Sequence, residues 1–388
     1  MRFFGRGPRA ALWAVLTLAL SGSSGFALAD ENLALKIAAY RAKLAEYNEA
    51  RSAYEQRAAP YWATISQKRK QRIAKQHQGE RPSASDYVIE QPPLYTGPPK
   101  PENPEKPHAD EGAYVPVVAD FLEQAQTHFD FTPDKPASDD DYRHAYAKAA
   151  LAAGLNAEEC VKIFAFESGG NGGYAVQAGL EYDRPGARAI TTALGYNQLL
   201  TTNSIELLAE AGDQILANLR AKANAADDAR RERLVQKIAT LKEMIAFSRS
   251  VPDRWADHTR LAGTAKGLAL HALVLDVDIG PLLQVHKLLT SVAYAKRKGY
   301  TAPLTAAELE MMNLTGDGNG FDMVTMPDTL RKKVPTSNFF QRGGYERNPV
   351  AIRNNTVAAL LAATDAKMEE EAQLPSAQAL ARAFKEVN

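Results

Sequence analysis

Residues 156–204 read NAEECVKIFAFESGGNGGYAVQAGLEYDRPGARAITTALGYNQLLTTNS, and the rest of the chain can be organised around them. Asn156 with Glu159 three residues on has the spacing of a helix start, and Gly169 with Gly170 that of a stop, so a short helix is expected between them. Glu167 falls in its last turn. Stepping back three, four and seven residues gives Phe164, Ile163 and Cys160, so the carboxylate shares a face with the apolar stripe. Apolar neighbours and the negative end of the helix dipole both disfavour the ionised form, and the pKa of Glu167 is expected to rise. A carboxylic acid that keeps its proton near neutral pH is what cleavage of a glycosidic bond needs as its general acid.

The composition suits a globular protein with appendages. The chain has 388 residues, more than one ordinary core, and a hydrophobic fraction of 45% is ample to build one. Its 46 basic and 46 acidic side chains cancel, which removes the electrostatic case for nucleic acid and is compatible with a neutral carbohydrate polymer. Arg2, Arg6 and Arg9, an apolar run from Ala10 to Leu20, and Ala27-Leu28-Ala29 before Asp30 make residues 1–29 a secretory signal peptide, cleaved after Ala29. No later segment reaches about 18 uninterrupted apolar residues, and no Cys stands at the cleavage point, so no membrane anchor is expected. The expected location is periplasmic or secreted. Cys160 is the single cysteine and reads as a small core residue in a chain without internal disulfides.

Residues 30–80 form the second segment. Leu33, Ile37, Tyr40, Leu44, Tyr47, Tyr54, Ala58 and Tyr61 follow a heptad spacing, interrupted by Arg51, and predict a long N-terminal helix. Its apolar seam suits docking on the rest of the protein, a protein partner or self-association. Pro60 is expected to kink or end it. The basic run 68–72 (KRKQR) reads as a solvated face, with contact to an anionic cell-wall polymer as the sharper alternative. Seven prolines between Pro92 and Pro107 forbid helix there, so residues 81–107 are expected to form an extended linker.

Residues 108–350 are expected to be the main domain and 351–388 a helical tail. Between Tyr174 and Thr192 the helical period vanishes, and Asp183-Arg184-Pro185-Gly186 supplies turn residues, so a small β-hairpin is expected. Asn203 with Glu206 starts a further helix, and the pattern continues as a helical hairpin turning near 225–228. No two histidines show metal-ligand spacing, and the Asp317, Asn319, Asp322 run lacks the Gly and final Glu of a calcium loop, so neither a metal nor a cofactor is expected. Asn338, Phe339 and Phe340 are expected to line a sugar groove, since aromatic faces such as those of the two Phe stack on sugar rings.

Two motifs carry a family resemblance. Glu167-Ser168 closes a helix, and Gly195-Tyr196-Asn197-Gln198-Leu199-Leu200 opens the next; in this order the chain resembles the soluble lytic transglycosylases of the lysozyme-like superfamily. A third patch, Met312-Asn313 before Gly316, Gly318 and Gly320, matches the family's Ala-Tyr-Asn turn at the Asn and departs from it at the Tyr, which Tyr345 would have to supply. The resemblance implies a mainly α, lysozyme-like helical domain with a small β-hairpin. It implies an enzyme that cuts the β-1,4 bond between N-acetylmuramic acid and N-acetylglucosamine in peptidoglycan glycan strands and leaves a 1,6-anhydro product. Glu167 would be the acid and then the base, with Ser168, Tyr196, Asn197, Gln198, Asn313 and Tyr345 about the substrate. Two alternatives stay open: a peptidoglycan-binding scaffold that has lost turnover, and a hydrolysing muramidase that uses Glu181 or Asp183 as its second carboxylate.

Overall fold

The computed structural model describes residues 23–105, 114–170, 172–180 and 188–388, with side chains from residue 33 onward. The expected signal peptide lies outside the described residues as far as residue 22. Among the described residues the chain is mainly helical, and no β-strand is present. The expected β-hairpin is therefore a correction. The flanks of residues 174–192 make only isolated bridges, Gln177 with Leu194 and Leu194 with Leu199. A few backbone bonds, Ala178 N–H to the Ala193 carbonyl, Ile190 N–H to the Ala178 carbonyl and Gly195 N–H to the Val176 carbonyl, hold the segment without forming a ladder, and the Gln177 amide adds bonds to the carbonyls of Pro116 and Thr191. The turn itself, with Glu181 and Asp183, falls outside the described residues.

The described residues divide into two compact units, those up to 62 with 93–105, and 63–92 with those from 114 onward. Helix α1, Ser23–His77, keeps Pro60 inside it rather than ending there. A proline in a helix interior costs about 3 kcal/mol, and burial of Tyr54, Ala58, Trp62 and Ile65 on either side of it offsets that cost. In the first unit the proline-rich stretch packs on α1. The Tyr95 ring lies edge-on to Tyr47 and Tyr54, with centroids 6.1 and 5.6 Å away, and the Arg51 guanidinium stands 5.4 Å from its centre. An extended proline-rich chain has little conformational freedom left to lose, so a few aromatic contacts suffice to dock it.

In the second unit two arginines of the basic run of α1, Arg69 and Arg72, are buried while Lys70 and Gln71 stay exposed, so only part of the run is the solvated face expected. Arg69 donates to the carbonyls of Asn338 and Phe340 at 3.0 and 2.7 Å. Arg72 pairs with Asp322 at 3.0 Å and donates to the carbonyls of Asp86 and Asn338. Tyr87 donates to the other Asp322 oxygen at 2.6 Å. Each guanidinium finds several fixed acceptors, which is the condition under which a buried charge is tolerated.

The remaining helices build two adjoining cores. The first gathers α2 (Val118–Phe129), α5 (Thr201–Ala225), α6 (Asp228–Ser248), α7 (Trp255–Ala262), α8 (Ala265–Ala269) and the 3-10 turn Leu270–Leu275. The second gathers α3 (Asp139–Ala152), α4 (Ala157–Ser168), α9 (Gly280–Arg297), α10 (Ala306–Thr315), α15 (Val357–Glu371) and α16 (Pro375–Val387). Short helices α11 (Asp317–Thr325), α12 (Asp328–Arg331), α13 (Arg342–Glu346) and α14 (Pro349–Arg353) connect α10 to α15. The residues expected as a tail, 351–388, thus belong to the second core: Met368, Leu380 and Phe384 are buried in it. The 194–199 turn joins the halves, with Leu194 and Leu199 in one core and Tyr196 in the other.

Candidate functional site

Helix α4 forms where the sequence expects it. Asn156 caps it, its side-chain oxygen accepting from the amides of Glu158 and Glu159 at 2.8 and 3.2 Å, and Gly169 ends it in a left-handed conformation at φ 60°. Cys160, Ile163 and Phe164 are buried, so Glu167, on the same face, is drawn toward the second core while keeping part of its surface open to solvent. Burial raises its carboxyl from the ordinary 4.5 to about 7, against the opposing effects of Glu310, Lys287 and Asn313.

Asn313, in the last turn of α10, donates from Nδ2 to Oε1 of Glu167 at 2.8 Å. Two residues that stand 146 positions apart thereby share one site. One turn earlier on the same helix, Glu310 is fully buried. Burial first, and the Glu167 charge next, push its carboxyl well above the usual range. Lys287, half-buried on α9, bears electrostatically on Glu167, Glu310, Glu206 and Asp317. Asp317 at the start of α11 accepts from the Ser291 hydroxyl at 2.7 Å. The centre is thus one ammonium among four carboxyls drawn from α4, α5, α10 and α11.

The other expected site residues are distributed differently. Ser168 Oγ donates to the Phe164 carbonyl of its own helix at 2.6 Å. Tyr196 is wholly buried, its ring 4.5 Å from Phe164 and 5.1 and 5.3 Å from Tyr142 and Tyr146. Its place is in packing, and its link to the site is through Phe164, three residues before Glu167. Asn197 is also buried: its amide N–H donates to Gln284 Oε1 at 2.9 Å, and its Nδ2 donates to the Gln284 carbonyl at 2.7 Å. Gln284 therefore clamps the turn from α9. Gln198 is half-buried with a positive φ of 42°, and its Nε2 donates to the carbonyls of Val176 and Gly195 at 3.1 and 2.8 Å. A residue held in that conformation is rare outside glycine.

Tyr345 is buried against Phe340, with ring centres 6.4 Å apart. It supplies no phenol to Glu167 in this arrangement; Asn313 alone of the third patch reaches the acid. The sugar groove expected at 338–340 is likewise corrected. Asn338 is fully buried and exchanges hydrogen bonds with the Val88 backbone at 2.8 and 3.0 Å, and Phe339 is buried beside it.

Sequence reading missed Glu310 and Lys287. A signal existed for the first: residues 306–312 are otherwise apolar apart from Glu308, and Glu310 shares a helix face with Asn313 at a spacing of three. Among the described residues no three His, Cys, Asp or Glu side chains are arranged to hold a metal ion. His271 is a buried structural residue, hydrogen-bonded to Ser204 Oγ and the Thr192 carbonyl, and burial pushes its pKa down to about 4. The Cys160 thiol is pushed up to about 12 by burial, which makes it a poor nucleophile. A cavity of about 420 Å³, lined in part by Leu151, Val161, Lys162 and Phe384, does not include Glu167. No single described helix is long and apolar enough to cross a membrane.

No family model matches the chain, and no curated protein and no solved structure matches it either. The arrangement around Glu167 therefore has to be read by its chemistry.

Proposed function

We propose that the protein is a peptidoglycan lytic transglycosylase, acting in the periplasm or outside the cell on the β-1,4 bond between N-acetylmuramic acid and N-acetylglucosamine. The observation that carries the reading is the state of Glu167, a part-open carboxyl that burial raises to about 7 and that Asn313 holds by a hydrogen bond at 2.8 Å. An acid of that strength can give up and take back a proton near neutral pH. Glu167 protonates the glycosidic oxygen as the bond to the muramoyl anomeric carbon breaks. It then accepts the proton of the muramoyl 6-hydroxyl as that oxygen bonds to the same carbon, so no water is consumed and the acid is restored. One carboxyl serves both steps, and no cofactor is called for.

A hydrolysing route would need a second carboxylate about 5 Å away, or roughly 6.5 to 9.5 Å away with water between. Glu181 and Asp183, the sequence's candidates for it, lie outside the described residues. Mass spectrometry of digested peptidoglycan tests the proposal, since intramolecular closure leaves a 1,6-anhydro end and hydrolysis leaves a reducing end heavier by one water. The expected product is the anhydro sugar, absent with Glu167→Gln. Reducing-end muramic acid as the main product would overturn the reaction, and no release of sugar from any wall preparation would overturn the activity.

A further inference from the structure

Glu310 has a role that follows from where its oxygens are. It is fully buried, and neither carboxyl oxygen has a hydrogen-bond donor in place. A carboxylate so placed would leave its charge and lone pairs unsatisfied, at a cost of several kcal/mol. Its near neighbours are Glu167 from α4, Asn313 from its own helix and Lys287 from α9. Asn313 gives its Nδ2 hydrogen bond to Glu167. Two carboxylates cannot bond to each other without a proton between them. One proton on Glu310 removes the difficulty, because the hydroxyl becomes a donor and the neighbouring Glu167 oxygen its acceptor.

We propose that Glu310 is a positioning residue that acts through Glu167: a neutral carboxylic acid that donates its hydroxyl to the Glu167 carboxylate and, with Asn313, fixes the orientation of the reacting group. The inference rests on the reading of Glu167 as the acid. Several features agree with it. Burial and the neighbouring Glu167 charge favour the neutral form of Glu310. A donor from Glu310 stabilises the ionised state of Glu167, which opposes the effect of burial there. Glu167 sits at a helix end, where the final turn has least to restrain it, and two donors spaced one turn apart on α10 supply that restraint.

The test separates this role from both a structural and a reactive one. Glu310→Gln keeps a neutral donor of the same size, whereas Glu310→Leu fills the space and donates nothing. The titration of Glu167 is followed by carbon NMR of side-chain carboxyls in the full chain, assigned with Glu167→Gln. With Glu310→Leu the Glu167 titration should move up by roughly one unit, the size of a lost hydrogen bond to a charged group, and the basic limb of the activity profile should move with it. Glu310→Gln should restore the parental titration and most of the turnover. An unmoved Glu167 titration in folded Glu310→Leu overturns the inference. So does loss of all turnover in Glu310→Gln with the Glu167 titration intact, since Glu310 would then itself react. If the titration moves as expected but the parent protein releases no sugar, the positioning role holds and the proposed activity fails.

Discussion

Replacing Glu167 by Gln should abolish activity and at the same time stabilise the protein at alkaline pH. In the unfolded chain a glutamate titrates near its ordinary value, whereas in the folded protein burial raises Glu167 to about 7. Below about pH 4.5 both states hold the proton, and the parent and the variant should be equally stable. As pH rises from there to about 7, only the folded state keeps the proton, so the parent loses stability over that interval; above it the loss is complete. A rise from 4.5 to about 7 corresponds to up to about 3 kcal/mol at about 1.36 kcal/mol per unit. The part of Glu167 that stays open to water reduces this to roughly 2 kcal/mol. Gln has the same size, keeps a hydrogen-bonding oxygen for Asn313 and carries no charge, so it should be free of the penalty. Urea unfolding of both proteins at pH 4 and at pH 8.5 measures the difference. The midpoints should coincide at the lower pH and favour the variant at the higher one. Equal differences at both pH values, or a variant less stable than the parent at pH 8.5, would refute the argument that burial of this carboxyl is what tunes it.

Two further expectations concern the frame around the site. Arg72→Met should lower the urea midpoint by the equivalent of about 3–5 kcal/mol, because it leaves Asp322 buried without its cation; adding Asp322→Asn should recover part of the loss, and a single-variant effect under about 1 kcal/mol would show that the clamp is idle. Gly195→Ala should lower the thermal midpoint by several degrees, roughly 1–2 kcal/mol. Gly195 sits at φ 80°, and an added Cβ would run into the Gln284 amide that holds Asn197. An unchanged midpoint would mean that the turn is softer than its contacts imply.

The sequence by itself determined the local elements and the chemical character of Glu167. Asn156 and Gly169 bound α4 because capping depends on a few consecutive residues, and the Phe164, Ile163, Cys160 spacing turned the Glu167 carboxyl toward apolar surroundings before any partner was known. Helical class followed in the same way from periodicity. What lay beyond reach were the partners, since a side chain's neighbours come from elements folded against it from far along the chain. The Asn313 pairing matched a family motif, but its bond to Glu167 spans 146 positions. Glu310 looked like any glutamate until α10 packed against α4, and the arginines of the basic run at 68–72 looked solvated until Asp322 and the Asn338 carbonyl were set beside them. Tyr196 and Gln198 are adjacent but for one residue, yet the first is sealed among aromatic rings and the second is half-open. A turn held at Gln284 decides that difference, and the energy that decides it is tertiary: burial of apolar rings and pairing of buried polar groups, neither of which has a local period to betray it.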